Sequence, residues 1–457
     1  MSSSSAQIAF DVALTLGLRG LIPTGIPRVE AEIAAALLER NDPNILFCRY
    51  RSKVGAFQRV PPEAVREALL YPRMRSVVYQ PPRLRNHRRW LWKNIERGWR
   101  RYLFPPSDLV GLGPNDAYIS VGAWWNLHEP DISTFGRLTS LTRATLMCHD
   151  VIPLLFPEYF EDPEVAPRFR RALRIFSDAS AVICNSHGTR QDLSDALVAA
   201  GLAVPRTHVL QLPPGLSSNR QTAASSLGKE LGRFVLVVGS ISHRKNQVML
   251  LDIWSRLGDE ASLSDVKLIM AGAWGENSTP VRDKLQRDPK LFDRVMVMNN
   301  VSDDELIWLY RNCLFTVYPS LYEGWGLPIS ESLSFGRVCV TSNAPAMEEA
   351  GRGLCVHLPP TSVDLWYATI RTLLTEPALR AEFEAKIDGT TRRSTGDRLL
   401  TQFSILPAVL RREQRHKWSK APGVLFSDPD MSIQLDHSNE FTDSCFSWWA
   451  RIASFRL

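Results

Sequence analysis

Glu323 and Glu331 stand with seven residues between them in YPSLYEGWGLPISESLSFGRV (residues 318–338), and Gly324, Gly326 and Pro328 lie in the gap. A carboxylate in the first turn of a helix can accept hydrogen bonds from the vicinal hydroxyls of a ribose. The free N–H groups of that turn favour an anion such as a diphosphate. A second candidate pair is Arg244-Lys245 in GSISHRKNQ, two cations that can converge on a phosphate. A third is His149-Asp150 in MCHDVIPL. Taken singly, each has a plainer reading: a dipole-complementing Glu, an exposed Arg-Lys pair, a structural His-Asp pair. The carboxylate and the two cations together suit a ligand that carries a ribose and a diphosphate.

These residues need elements that hold them. LFTVYPS (residues 314–320) is apolar and β-branched enough for a buried strand, and Pro328 followed by ISESLSF suits a first helical turn. The two glycines between make a loop whose backbone N–H groups can come close to a ligand. FVLVVGS (residues 234–240) reads as a strand ending at Gly239. After it, Val248, Leu251 and Trp254 recur at helical spacing, so Arg244 and Lys245 fall where strand passes to helix. Cations in a first helical turn oppose the macrodipole and call for a counter-anion. VKLIMAGAWG (residues 266–275) and RVMVMNNVSDDELIWLY (residues 294–310) are further strand–loop–helix units, the second capped by Ser302 with Glu305 three residues on. Toward the N-terminus, IAFDVAL (residues 8–14) reads as a first strand and TGIPRVEAEIAAALLER (residues 24–40) as a turn through Gly25 and Pro27 into a helix. RATLMCHD ends a strand at His149-Asp150, and SAVICNS ends one at Asn185-Ser186, with Ser186 as N-cap. Strands alternating with helices predict an α/β fold.

The spacing Glu323-x7-Glu331 within EGWGLPISESLSFG, with GS-x3-RKN before it, resembles the signature of retaining glycosyltransferases of family 4. The resemblance implies a GT-B fold, two Rossmann-like domains whose parallel sheets face across a cleft. It implies that Glu331 holds the donor ribose and that Glu323 faces the sugar ring. The loop amides of Gly324, Trp325, Gly326 and Leu327 would surround sugar and diphosphate, and Arg244 and Lys245 after Gly239 would bind the diphosphate. The family's base-binding region falls at Asn299 to Val301. Its opening TGI-x-R segment brings Gly25 to the cleft, and its HD pair puts His149 on the transferred sugar with Asp150 beside it. The catalytic set so implied is His149, Glu323, Arg244 and Lys245. HDVIPLLFPEYF and VYPSLYEGWGLPISE resemble bacterial mannosyltransferases of surface polysaccharides, which puts GDP-mannose ahead of UDP-glucose and dTDP-rhamnose. A polyprenyl-diphosphate-linked saccharide or another glycan is the implied acceptor. A catalytically idle GT-B scaffold is the alternative, and the presence of Arg244, Lys245, Glu323 and Glu331 together speaks for an enzyme.

At 457 residues, 44% hydrophobic and 22% charged, the chain has the length and composition of two globular domains. The expected division is 1–215, 216–400 and 401–457, the last with room for a return helix and a tail of no assigned role; LPPGLS resembles the family's linker and the boundary is expected near residues 215–232. Seven cysteines without a CxxC predict buried thiols in a reducing compartment. MSSSS lacks a basic leader and Asp11 breaks the apolar run after it, so no signal peptide and a cytoplasmic location are expected. Within a basic insertion, residues 80–106, the stretch RLRNHRRWLWKNIERGWRR (residues 83–101) holds eight Arg or Lys and one Glu, with Trp90, Trp92 and Trp99 interleaved. As a helix it suits an anionic membrane surface at the inner face. A helix packed on the domain is the plainer reading, and nucleic acid is not expected. Asp428-Pro429-Asp430 spells DxD but sits in a proline-broken tail and reads as a turn. No metal or cofactor is predicted, the nucleotide sugar being a co-substrate.

Overall fold

The computed structural model describes residues 7–17, 25–70, 108–216 and 231–391. The basic stretch 83–101, most of the expected boundary segment, Asp428-Pro429-Asp430 and Cys445 lie outside them.

Strands near the N-terminus make one sheet: β1 (Ile8–Asp11), β2 (Ile45–Arg51), β3 (Ala56–Val60), β4 (Leu109–Val110), β5 (Ala117–Ser120), β6 (Arg143–Cys148), β7 (Ala181–Cys184) and β8 (Thr207–Val209). Their spatial order is β4-β3-β2-β1-β5-β6-β7-β8. From β2 to β8 the pairing is parallel, as expected. The β3 and β4 edge is antiparallel. The connection between β2 and β3, residues 52–55, is far too short for the crossover that a parallel neighbour needs, so the chain returns as a hairpin.

The second sheet is parallel throughout: β9 (Phe234–Val238), β10 (Lys267–Ala271), β11 (Val295–Met298), β12 (Thr316–Tyr318), β13 (Cys339–Ser342) and β14 (Val356–Leu358), ordered β11-β10-β9-β12-β13-β14. Parallel strands carry helices on both faces, and this sheet accordingly has two cores. One packs Val235, Val237, Leu268 and Val317 against Trp254 and Trp366. The other packs Leu236 and Ile269 against Ile307 and Tyr310. The Ser302–Glu305 capping box closes the start of helix Asp303–Asn312. Ser186 accepts from Thr189 N at the start of helix His187–Ala199. Cys48, Cys148, Cys184, Cys313, Cys339 and Cys355 are free and buried. Among the described residues no helix is long and apolar enough to cross a membrane.

Candidate active site

In the second sheet β9 lies beside β12, where the strand order reverses, and open α/β sheets bind ligands beyond the strand ends at such a point. Past β9, Gly239 leads to a single 3-10 turn, His243–Lys245, and then to helix Gln247–Leu257. Arg244 and Lys245 thus lie just ahead of the α-helix, not in its first turn as the sequence suggested, because Asn246 takes a left-handed conformation between the two. Past β12 the chain runs from Tyr318 to Glu323.

The two segments meet in a buried ion cluster. Arg244 Nη1 donates to Glu323 Oε2 at 2.6 Å, and Lys245 Nζ donates to Glu323 Oε1. The Tyr318 hydroxyl accepts from Lys245 Nζ at 2.6 Å and donates to Glu323 Oε1 at 3.0 Å. Arg244 also donates to the Tyr322 carbonyl at 2.9 Å. Burial alone would raise the Glu323 pKa, but the two cations hold it down to about 2. Burial draws Lys245 down to about 8 in spite of the carboxylate. Asp150 brings a second carboxyl within reach of both cations, so Arg244 and Lys245 share this buried space with two acids.

The first sheet supplies the opposite wall. His149 follows β6, and its Nε2 lies 2.7 Å from the Val121 carbonyl just beyond β5. A carbonyl can only accept, so Nε2 carries the proton and Nδ1 keeps a free lone pair. Burial lowers the His149 pKa to about 4, which leaves the ring neutral near pH 7. Burial raises the Asp150 pKa although Arg244 opposes it, and an Asp150 carboxylate oxygen accepts from Ile152 N at 3.2 Å.

Gly324 joins the walls. A Cβ there would stand 1.8 Å from the His149 carbonyl oxygen and 2.9 Å from the Asp150 Cβ. The Gly324 carbonyl accepts from Ser186 Oγ at 2.8 Å and Thr189 Oγ1 at 3.1 Å. The sequence reading gave this missing side chain to a ligand; in the structure its space holds the backbone of the facing sheet. Trp325 is buried next to it with Nε1 unpartnered, and Gly326 and Leu327 open helix Leu327–Ser334.

Glu331 lies in that helix at 4% exposure, apart from the ion cluster. Its Oε2 accepts from the Tyr310 hydroxyl at 2.8 Å. Burial raises its pKa, against Arg28 and a hydrogen bond from the Gly215 backbone that favour the charge. Gly25 immediately precedes helix Ile26–Arg40, which carries Arg28 to this place. Asn299 follows β11, two strands from β9, and both polar atoms of its side chain are buried without a partner. Val301 is half-buried against the core around Ile307. Tyr318, Tyr310, Arg28 and Gly215 went unassigned in the sequence reading, although YPSLYEG, TGIPR and LPPGLS contain all but Tyr310.

Residues 219–388 match the family described as Glycosyl transferases group 1. That stretch is a group 1 glycosyl transferase domain. It contains the whole second sheet, the ion cluster, Asn299 and Glu331. The chain is similar to the serotype-specific mannosyltransferase WbdA of Escherichia coli, 23% identical over 323 residues, which cover 69% of this chain and 39% of that protein. It is also similar to O-antigen chain mannosyltransferase B of Escherichia coli, 26% identical over 252 residues, 52% of this chain and 63% of the relative. The chain thus spans about two fifths of the length of WbdA. Among solved structures, sucrose-phosphate synthase from Thermosynechococcus elongatus superposes with a TM-score of 0.58 at 13% identity, over 90% of this chain and 100% of that one. The fold outside and inside the group 1 domain is therefore GT-B, and His149 and Asp150 face that domain from the first sheet.

Proposed function

We propose that the chain is a retaining glycosyltransferase that moves a hexose from a nucleoside diphosphate sugar to a saccharide acceptor. GDP-mannose is the leading donor, because the relatives whose names state a sugar are mannosyltransferases. A polyprenyl-diphosphate-linked or growing glycan in surface polysaccharide assembly is the acceptor this reading favours. UDP-glucose and dTDP-rhamnose are the next donors to try. One observation carries the reading: Arg244 and Lys245, at the switch point of the group 1 domain, are two buried cations gathered on Glu323, next to the close contact of Gly324 with His149 and Asp150.

When the bond between the anomeric carbon and the diphosphate oxygen breaks, negative charge grows on the diphosphate. Arg244 and Lys245 supply the positive charge that opposes it, fixed in place and shielded from water. The two side chains supply this stabilisation without calling on a metal. The free Nδ1 of His149 can accept a sugar hydroxyl. Glu331 retains one lone pair on each oxygen beyond the bonds already described, which suits a ribose diol. The orphaned amide of Asn299 suits the edge of a base. Contacts between the two sheets keep water from the donor and limit its hydrolysis.

Nucleotide release measured over a panel of GDP-, UDP- and dTDP-sugars, with and without saccharide acceptors, tests the assignment. Lys245→Ala should raise the barrier by about 2–4 kcal/mol, as loss of other charge-stabilising donors does. Full turnover in Lys245→Ala with an unchanged product would remove the cradle assignment.

A further inference from the structure

Arg28 sits in helix Ile26–Arg40, on the first-sheet side, with its side chain buried against the other half of the molecule. Nη2 donates to Asp303 Oδ1 at 2.8 Å, at the start of helix Asp303–Asn312 in the group 1 domain. Nη1 donates to the Gly215 carbonyl at 2.8 Å, in the chain joining the two sheets. Gly215 in turn fits between two side chains. A Cβ on it would lie 2.6 Å from Arg28 Cδ and 3.0 Å from Glu331 Oε1. One guanidinium therefore pins the segment that lies on Glu331, while Tyr310 holds the other carboxylate oxygen at 2.8 Å.

We propose that Arg28 is a positioning residue for the donor: through Gly215 and its own charge it sets the orientation and ionisation of Glu331 for a ribose diol. The inference rests on the reading of Glu331 as the ribose ligand. The fork geometry matters, because two N–H groups must reach two acceptors in different directions at once, which an ammonium on a flexible stem does poorly. The groups facing the Glu331 carboxylate are Arg28, Tyr310 and the Gly215 N–H, with Asp303 behind the guanidinium. Removing Arg28 leaves burial and Asp303 to oppose the charge on Glu331. Nucleotide affinity should then be lost at a higher pH than in the wild type.

Calorimetric titration of the full-length chain with GDP and with UDP, from pH 5 to 8, tests this on wild type, Arg28→Lys, Arg28→Met, Glu331→Gln and the Arg28→Met/Glu331→Gln double variant. Circular dichroism confirms folding, and Arg28→Lys serves if Arg28→Met does not fold. The expected result is weakening of about tenfold or more in Glu331→Gln and in each Arg28 variant, with the Lys form the milder. The double variant should be little weaker than Glu331→Gln alone, since coupled neighbours do not add. The pH at which binding falls away should rise in the Arg28 variants, and the affinity of Glu331→Gln should lose this fall. Weakening in Glu331→Gln with full affinity in the Arg28 variants, or strictly additive losses without a pH displacement, overturns the inference and leaves the ribose assignment standing. Unchanged affinity in Glu331→Gln, or no binding of either nucleotide to the wild type, removes the ribose assignment and the inference together.

Discussion

At the scale of single residues, the site is defined by how three charges share one buried space. Glu323 is ionised with a pKa near 2 because Arg244 and Lys245 overcome the effect of burial. Its unperturbed value is 4.5, so the pairing contributes stability in full above that pH and loses it as pH falls through about 2. Urea unfolding between pH 2 and 5 should show stability falling toward the acid side, with a shallower slope in Glu323→Gln. These three charges were legible in the sequence because each stands at the end of a strand whose apolar pattern is clear. Arg28 was not, although TGIPR was plainly a turn into a helix. Its partners stand 187 and 275 residues further along the chain, and no local pattern marks a contact of that range. Gly324 was legible as a close approach, but what approaches it depends on where the facing sheet stands.

At the scale of elements, the first sheet holds a second buried acid beneath its own switch point. Glu30, on helix Ile26–Arg40, is fully buried, and its Oε1 accepts from Thr15 N at 2.7 Å and Thr15 Oγ1 at 2.9 Å. Asp11, at the end of β1, accepts from the Tyr118 hydroxyl at 2.7 Å. Burial first, and then the nearby Asp11, pushes Glu30 up to about 8. The unfolded chain releases that proton near 4.5 and the folded chain keeps it, so stability declines as pH rises from 4.5 toward about 8. Glu30→Gln preserves the acceptor for Thr15 and should flatten this decline, which can approach about 1.4 kcal/mol per pH unit. Denaturant midpoints of both proteins across pH 5 to 8 check it. Helix starts were readable from capping chemistry at Ser186 and Ser302. The antiparallel edge at β3 and β4 was not, because a short turn between apolar runs does not say to which side the next strand returns.

At the scale of the whole molecule, the two sheets are tied by polar contacts at several points besides Arg28. Glu349 accepts from His187 N and Gly188 N, each at 2.8 Å, at the start of helix His187–Ala199. Glu161 accepts from Asn277 N at 2.6 Å. These polar ties stand beside ring contacts of Phe156 with Tyr322 and of Tyr159 with His243, so the halves meet through mixed patches, an arrangement suited to opening and closing. Replacing Glu161 and Glu349 together by Ala should loosen the closed form. The expected outcome is a larger radius of gyration in X-ray scattering and a higher ratio of donor hydrolysis to transfer. An unchanged ratio with an unchanged radius would mean that these contacts do not hold the halves. The Glu323 carboxylate has a further consequence on the donor-site reading. It is a resident counter-ion, so an arriving diphosphate must trade places with it on Arg244 and Lys245. When the spent nucleotide leaves, the same carboxylate returns and neither cation is left bare in a water-poor space. Binding is thereby weaker than the two cations alone would give, and the product is easier to expel.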